Sequence, residues 1–254
     1  IFCEIKKFPT HVVALEDLEN TLDYYIENTS NIKNSEWASI LFQVIITLCV
    51  YQEKLNFFHN DLHTSNIMYI QTKKKYLYYC FKGKYYKVPT YGKIYKIIDF
   101  GRSIYNLKGN LMSSDSFSKS GDAYSQYNCE PYYNDKKKKI MPNKSFDLVR
   151  LGCSLFDYFF EDIKQSQEKL DDIETIINFW CLDDKNKNIL YNNNNVDRYP
   201  EFKLYKMIAR TVHNKVPEEQ LLNKIFDKFR LSDKINNDDL MNIDDIPKYS
   251  ENSN

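Results

Sequence analysis

The chain has 254 residues and a mass of 30.4 kDa, enough for one large domain or two small ones, and 43% hydrophobic residues supply a sizeable core. Thirty-five acidic side chains balance 35 basic ones; a formal net charge of zero excludes a protein that coats nucleic acid and leaves room only for a local basic patch. No stretch approaches 18 consecutive apolar residues, which predicts no transmembrane helix.

Taken in chain order, Ile1 to Lys7 carry neither a Met nor a signal-type apolar region, so the chain is expected to be a fragment whose own start lies upstream. His11-Val12-Val13-Ala14-Leu15 is a short β-branched run that reads as a buried strand, and Glu16 to Asn20 as a polar connector. Thr21 is placed to cap a short helix over 22–26. From Ser35 to about Leu55, Trp37, Ile40, Leu41, Val44, Ile45 and Leu48 recur at three- and four-residue spacing and predict a long amphipathic helix. Residues 67–70 read as a strand. Residues 76–81 and 85–88 flank Lys82-Gly83-Lys84 as a β-hairpin, and 94–98 form a further strand that ends at Asp99. Residues 102–144 show no period, which in a compact domain marks a functional or disordered stretch. Helices are predicted from Phe146 and over 168–180, 200–213 and 217–229, the last with Pro217 in its first turn. From Ser232 the tail is acidic, Asn-rich and expected to be loose. Few strands followed by mostly helices gives an α+β, mainly helical reading.

Six cysteines (Cys3, Cys49, Cys80, Cys129, Cys153, Cys181) lie far apart with no C-x-x-C pair, which favours a reducing compartment, the cytosol by default, over a disulfide framework or zinc site. The chain holds 21 Tyr and 26 Asn, and only five of its 35 basic residues are Arg. These preferences follow AT-rich codons and read as genome bias rather than selected chemistry.

The segment His59-Asn60-Asp61-Leu62-His63-Thr64-Ser65-Asn66 and the triplet Asp99-Phe100-Gly101 carry the chemistry. Asp61 and Asn66 sit in a polar loop between a helix and a strand, and Asp99 ends the next core strand. Three such oxygen-bearing side chains suit a hard cation such as Mg²⁺, which takes a few carboxylate or amide oxygens together with phosphate and water. Asp61 is then left to act as a base.

His-x-Asp-Leu-x-x-x-Asn followed by Asp-Phe-Gly resembles the catalytic loop and metal-binding triplet of the protein-kinase superfamily. The resemblance implies that Asp61 accepts the substrate hydroxyl proton, that Asn66 and Asp99 ligate Mg²⁺, and that ATP is the donor. It also implies a contact between His59 and Phe100 that joins the two motifs. Val12 to Leu15 resemble the last strand of the N-terminal lobe, and Leu15, Glu16, Asp17 and Leu18 the hinge whose backbone binds adenine. Asp147 opens a helix that resembles the family's central one, where it would anchor the backbone of the catalytic loop. His63 stands where the family usually has Lys, as in haspin-like kinases and aminoglycoside-type phosphotransferases, and is counted with Asp61 and Asn66 among the catalytic residues. The motif set, with Pro142-Asn143-Lys144-Ser145-Phe146-Asp147, Leu151 to Asp157 and Arg198-Tyr199-Pro200, is similar to divergent serine/threonine kinases of large DNA viruses.

On this map residues 1–20 end the N-terminal lobe and supply the hinge, 21–231 form the C-terminal lobe, and 232–254 are a flexible tail. Within the lobe lie the catalytic loop (59–66), a hairpin insertion (71–93), the metal-binding triplet (99–101) and an activation segment (102–131) closing near Glu130-Pro131. The glycine-rich loop, the strand lysine and its glutamate partner have no counterpart here, so most of the N-terminal lobe is expected to lie outside the chain and the fragment alone to be inactive. Asn60 replaces the usual Arg and cannot pair bidentately with a phosphate, so phosphorylation of the activation segment is not expected to act as the switch; a lysine from 136–139 is the alternative source of charge. The expected function is transfer of the ATP γ-phosphoryl group to Ser or Thr of a protein substrate, by a monomer that binds neither nucleic acid nor membrane, in the cytoplasm (of the host, or in the virion, if viral). Two alternatives stand beside it. One is a kinase-fold phosphotransferase for small molecules, which normally lacks an activation segment and an Asp147-type helix. The other is a pseudokinase binding module, against which the intact Asp61, Asn66 and Asp99 count.

Overall fold

The computed structural model describes residue 7, residues 12–235 and residues 237–248. β1 (Asn20–Thr21) runs straight into α1 (Leu22–Asn28), whose first turn is capped where Thr21 Oγ1 accepts the Tyr24 N–H at 3.1 Å. α2 (Asn34–Lys54) is the long predicted helix. Besides the predicted stripe, Ala38, Phe42, Ile46 and Cys49 are also buried, so α2 is enclosed nearly all round and forms the centre of the fold. By length and composition α2 is apolar enough to cross a membrane, although it holds no unbroken apolar run of 18 residues; 67% of its apolar window is buried inside the fold, which accounts for that apolarity.

The strand expected over 11–15 does not form in its described part. Residues 12–19 have no regular structure, and Val12, Val13 and Leu15 are 86%, 76% and 82% exposed; His11 lies outside the described residues. A β-branched run becomes a strand only against a pleated neighbour, and pairing here begins only where Glu19 N donates to Tyr69 O at 3.0 Å.

β2 (Ile67–Gln71) is followed by β3 (Tyr76–Phe81), β4 (Lys84–Pro89) and β5 (Lys93–Ile97). β2 pairs antiparallel with β5 in register Ile67↔Ile97, with β1 on its other side. β3 and β4 form the predicted hairpin, turning at Lys82 and Gly83 with φ of 50° and 69°. Two consecutive positive φ values make the tight turn whose twist suits a hairpin, and Gly83 adopts one without strain. The inner face of the hairpin packs on α2, where Phe42 meets Tyr79 and Tyr86 with ring centroids 5.8 and 5.0 Å apart.

The stretch read as periodless holds a second hairpin, β6 (Ile104–Leu107) and β7 (Asn110–Ser113), turning at Lys108-Gly109. Four-residue strands are too short to display alternation, so only the Lys-Gly turn marks it. Then come α3 (Phe146–Phe159), α4 (Asp172–Trp180) with an Asp171/Glu174 capping box, and α5 (Lys203–Thr211). Gly152 lets α3 and α4 approach: a Cβ there would lie 2.8 Å from Trp180 Cβ. The helix expected over 217–229 is split into α6 (Pro217–Gln220) and a 3₁₀ segment (Lys224–Phe229), because Asn223 Oδ1 accepts the Ile225 N–H and opens a new turn.

The tail is not loose where it is described. β8 (Arg230–Leu231) pairs with β4, and β9 (Leu240–Asn242) adds in parallel to β3, completing a sheet of order β8-β4-β3-β9. Ile243 is fully buried, and the Asp244 carboxylate accepts the Lys82 and Gly83 N–H groups at 2.7 and 2.9 Å. Residues 236 and 249–254 lie outside the described part. Helices and several small sheets around α2 and α3 make a mixed α/β fold compatible with a kinase-like one.

Candidate active site

The loop after α2 is held from beneath by one buried carboxylate. Asp147, in the first turn of α3 and 1% exposed, accepts the His59 N–H at 3.0 Å on Oδ2 and the Asn60 N–H at 2.8 Å on Oδ1. Burial pushes the Asp147 carboxyl up, against His59 and the two N–H groups, which act to keep it charged. His59 is fully buried. Its Nε2 lies 2.8 Å from the Ile98 carbonyl oxygen, which can only accept, and its Nδ1 accepts the Asp61 N–H at 3.2 Å. These bonds assign the proton to Nε2. The ring meets Phe100 edge-on at 5.6 Å, so His59 touches both chemical segments.

The short turn Thr64–Asn66 points the loop into β2. Thr64 Oγ1 donates to Asp23 Oδ1 at 2.8 Å, and Asn66 Nδ2 donates back to the Asp61 carbonyl at 3.0 Å. The Asn66 carbonyl accepts the Ile98 N–H at 3.0 Å, continuing the β2–β5 register, so Asn66 stands beside the strand end that carries Asp99. Asp99 is exposed, with φ of 59°, and its Oδ1 accepts the Gly101 N–H at 3.2 Å. The Asn66 Oδ1 and Asp99 Oδ2 atoms receive no hydrogen bond from the described residues. That pair fits Mg²⁺, which is commonly held by one or two protein oxygens plus phosphate and water. No cluster of three or more His, Cys, Asp or Glu side chains suited to a metal occurs among the described residues.

Asp61 is the most engaged of the predicted residues. Tyr205 Oη donates to its Oδ1 at 2.6 Å, and an Arg102 guanidinium nitrogen lies 3.4 Å from Oδ2. Arg102 also pairs with Asp122 and lies over the Phe202 and Tyr205 rings, 5.5 Å from each centroid. Arg150 Nε donates to Tyr205 Oη at 2.8 Å. Asn60, with φ of 65° and no exposure, accepts from Tyr127 Oη at 2.6 Å and donates to the Arg102 carbonyl at 3.1 Å. Asn60 is thus held by neutral bonds to residues 102 and 127, while Lys136, Lys137, Lys138 and Lys139 are all exposed.

Other predicted residues stand apart. The half-buried His63 ring makes no hydrogen bond to the described residues, and burial, with Arg150 adding, lowers its pKa from 6.5 against the pull of Asp61. Leu15, Glu16 and Asp17 are exposed and Leu18 half-buried; Glu16 pairs with Lys96, and among the described residues no hydrogen bond or ion pair joins any of the four to Asp61, Asn66 or Asp99. A cavity of about 810 Å³, lined in part by Asn178, Asn188, Tyr191 and Arg198, includes none of these residues.

Arg102, Tyr127, Arg150 and Tyr205 escape a motif reading. One signal does point at the arginines. In a chain with five Arg among 35 basic residues, an Arg kept against the codon bias marks a place that needs its planar fork. Arg102 and Arg150 are at the site, and Arg210 donates to the Gln126 carbonyl beside Tyr127.

No family model matches the chain. It is 30% identical over 92 residues to "Probable kinase 098L" of Invertebrate iridescent virus 3, covering 35% of this chain and 17% of that protein. It is 37% identical over 62 residues to serine/threonine-protein kinase haspin of Bos taurus, covering 24% of this chain and 8% of that protein. The matches span under a fifth of either relative, and they support a relationship to protein kinases.

Proposed function

We propose that the chain carries the catalytic lobe of a protein kinase that transfers the γ-phosphoryl group of ATP to Ser or Thr hydroxyls of a protein substrate. One observation carries the reading: Asp147 holds the His59–Asn60 backbone so that Asp61, Asn66 and the Asp99 strand end meet in one place. In this reading Asn66 and Asp99 hold Mg²⁺, which when bound neutralises phosphate charge. Asp61 takes the proton of the acceptor hydroxyl, a role worth about 10²–10⁴-fold for a positioned base. Leu15, Glu16, Asp17 and Leu18 offer backbone groups to the adenine, and His63 borders Asp61 on the acceptor side. Little covalent chemistry falls to the protein, whose work is positioning and electrostatics.

The test is calorimetric titration of the gene product that carries this chain with ATP, with and without Mg²⁺. Asp99→Asn is expected to remove most of the Mg²⁺-dependent gain in affinity, and Asp61→Asn to leave it within about twofold, because Asp61 meets the acceptor and not the metal. Equal Mg²⁺-dependent binding in wild type and Asp99→Asn would overturn the assignment of the metal site.

A further inference from the structure

A base that serves an external hydroxyl must offer it an oxygen, and Asp61 already has a hydroxyl on it. Tyr205 Oη donates to Asp61 Oδ1 at 2.6 Å while Arg102 faces Oδ2 at 3.4 Å. A hydroxyl donating to this carboxylate is the arrangement an acceptor makes with a catalytic base. We propose that Tyr205 is an internal acceptor mimic, its phenol occupying the acceptor's place on Asp61 so that the substrate hydroxyl binds by displacing it. The proposal rests on the kinase reading above.

Three features describe how the phenol is held. Arg150 Nε donates to the phenol oxygen at 2.8 Å, occupying one of the two lone pairs from which it could attack phosphorus. Burial raises the Tyr205 pKa, with Arg150 opposing and Asp61 adding, so the phenol stays protonated and remains the donor in its bond to Asp61. α5 is also anchored unevenly. Ile208 and Ala209 near its C-terminal end are buried, whereas residues 202–207 are exposed or half-buried and Phe202 makes no side-chain cap. The first turn can therefore yield while the second stays seated. In the seated state the Tyr205 ring stacks on Phe202, 4.8 Å between centroids, with Arg102 over the Phe202 ring.

Tyr205→Phe removes one oxygen and keeps the stack. In steady-state phosphoryl transfer to a generic acceptor protein, it is expected to lower the acceptor KM about tenfold, the scale of one hydrogen bond to a charged group, with kcat and the ATP KM within about twofold. Mass spectrometry of the protein after incubation with ATP–Mg is expected to find no phosphate on Tyr205. An unchanged acceptor KM overturns the proposal. A fall in kcat at constant KM makes Tyr205 a positioning residue instead, and phosphate on Tyr205 makes it an acceptor; either overturns the mimic. If neither wild type nor variant transfers phosphate to any acceptor, the kinase reading itself fails and takes the mimic with it.

Discussion

Asp147 shows how a single buried side chain organises the site. Its two oxygens satisfy two buried N–H groups of the loop that presents Asp61, and each such group left unpaired costs about 1–3 kcal/mol. Asp147→Ala is therefore expected to lower unfolding stability by about 2–5 kcal/mol, read from urea denaturation; a loss under about 1 kcal/mol contradicts the anchoring role. The sequence shows an Asp in the first turn of a helix, but only the resemblance to kinases points at the loop 87 residues earlier. His63 sets a pH dependence. Burial, with Arg150 adding, lowers its folded pKa from 6.5, so below that value the unfolded chain binds its proton more readily and stability falls. The contribution is intact above about pH 6.5 and fades as pH drops toward the folded value. Urea midpoints at pH 7.5 and at about 5.5 should differ less in His63→Gln than in wild type; equal differences would show that His63 is not the group responsible.

At the scale of elements, what was legible depended on how local the cause is. α2 declares itself because its stripe repeats over a 21-residue helix, and the β3–β4 hairpin because Lys82-Gly83 marks its turn. The strand expected at 11–15 fails in its described part because propensity without a neighbour is no strand. β9 escapes notice for the converse reason. Its partner β3 lies about 160 residues away in sequence, and no local pattern in an acidic, Asn-rich stretch announces Asp244 closing the Lys82-Gly83 turn. The segment after Asp99 is held to the loop by Tyr127 on Asn60 and to α5 by Arg210 on the Gln126 carbonyl, bonds that need no phosphate. Phosphatase treatment of the active gene product is accordingly expected to change turnover less than about twofold. A tenfold loss, about 1.4 kcal/mol in barrier, would show that a cation such as one of Lys136 to Lys139 reads a phosphate here.

For the whole molecule, the residues proposed to react are a linear signature and their enclosure is not. Asp61 and Asn66 lie in one loop, and Asp99 follows at the end of the strand paired to it, so spacing alone suffices to find them. Arg102, Tyr127, Arg150 and Tyr205 arrive from four other places along the chain, up to 144 residues from Asp61. Such residues become visible only when the fold brings them together, or through the scarcity of arginine. The central claim is that Asp61 serves as the base in phosphoryl transfer. The most direct measurement is transfer of labelled γ-phosphate from ATP–Mg to Ser and Thr of an acceptor protein by the gene product and by its Asp61→Asn variant. The account predicts transfer by the wild type and a loss of about 10²–10⁴-fold in kcat for Asp61→Asn, with ATP affinity nearly unchanged. Comparable turnover in the two proteins, or none in the wild type, would contradict it.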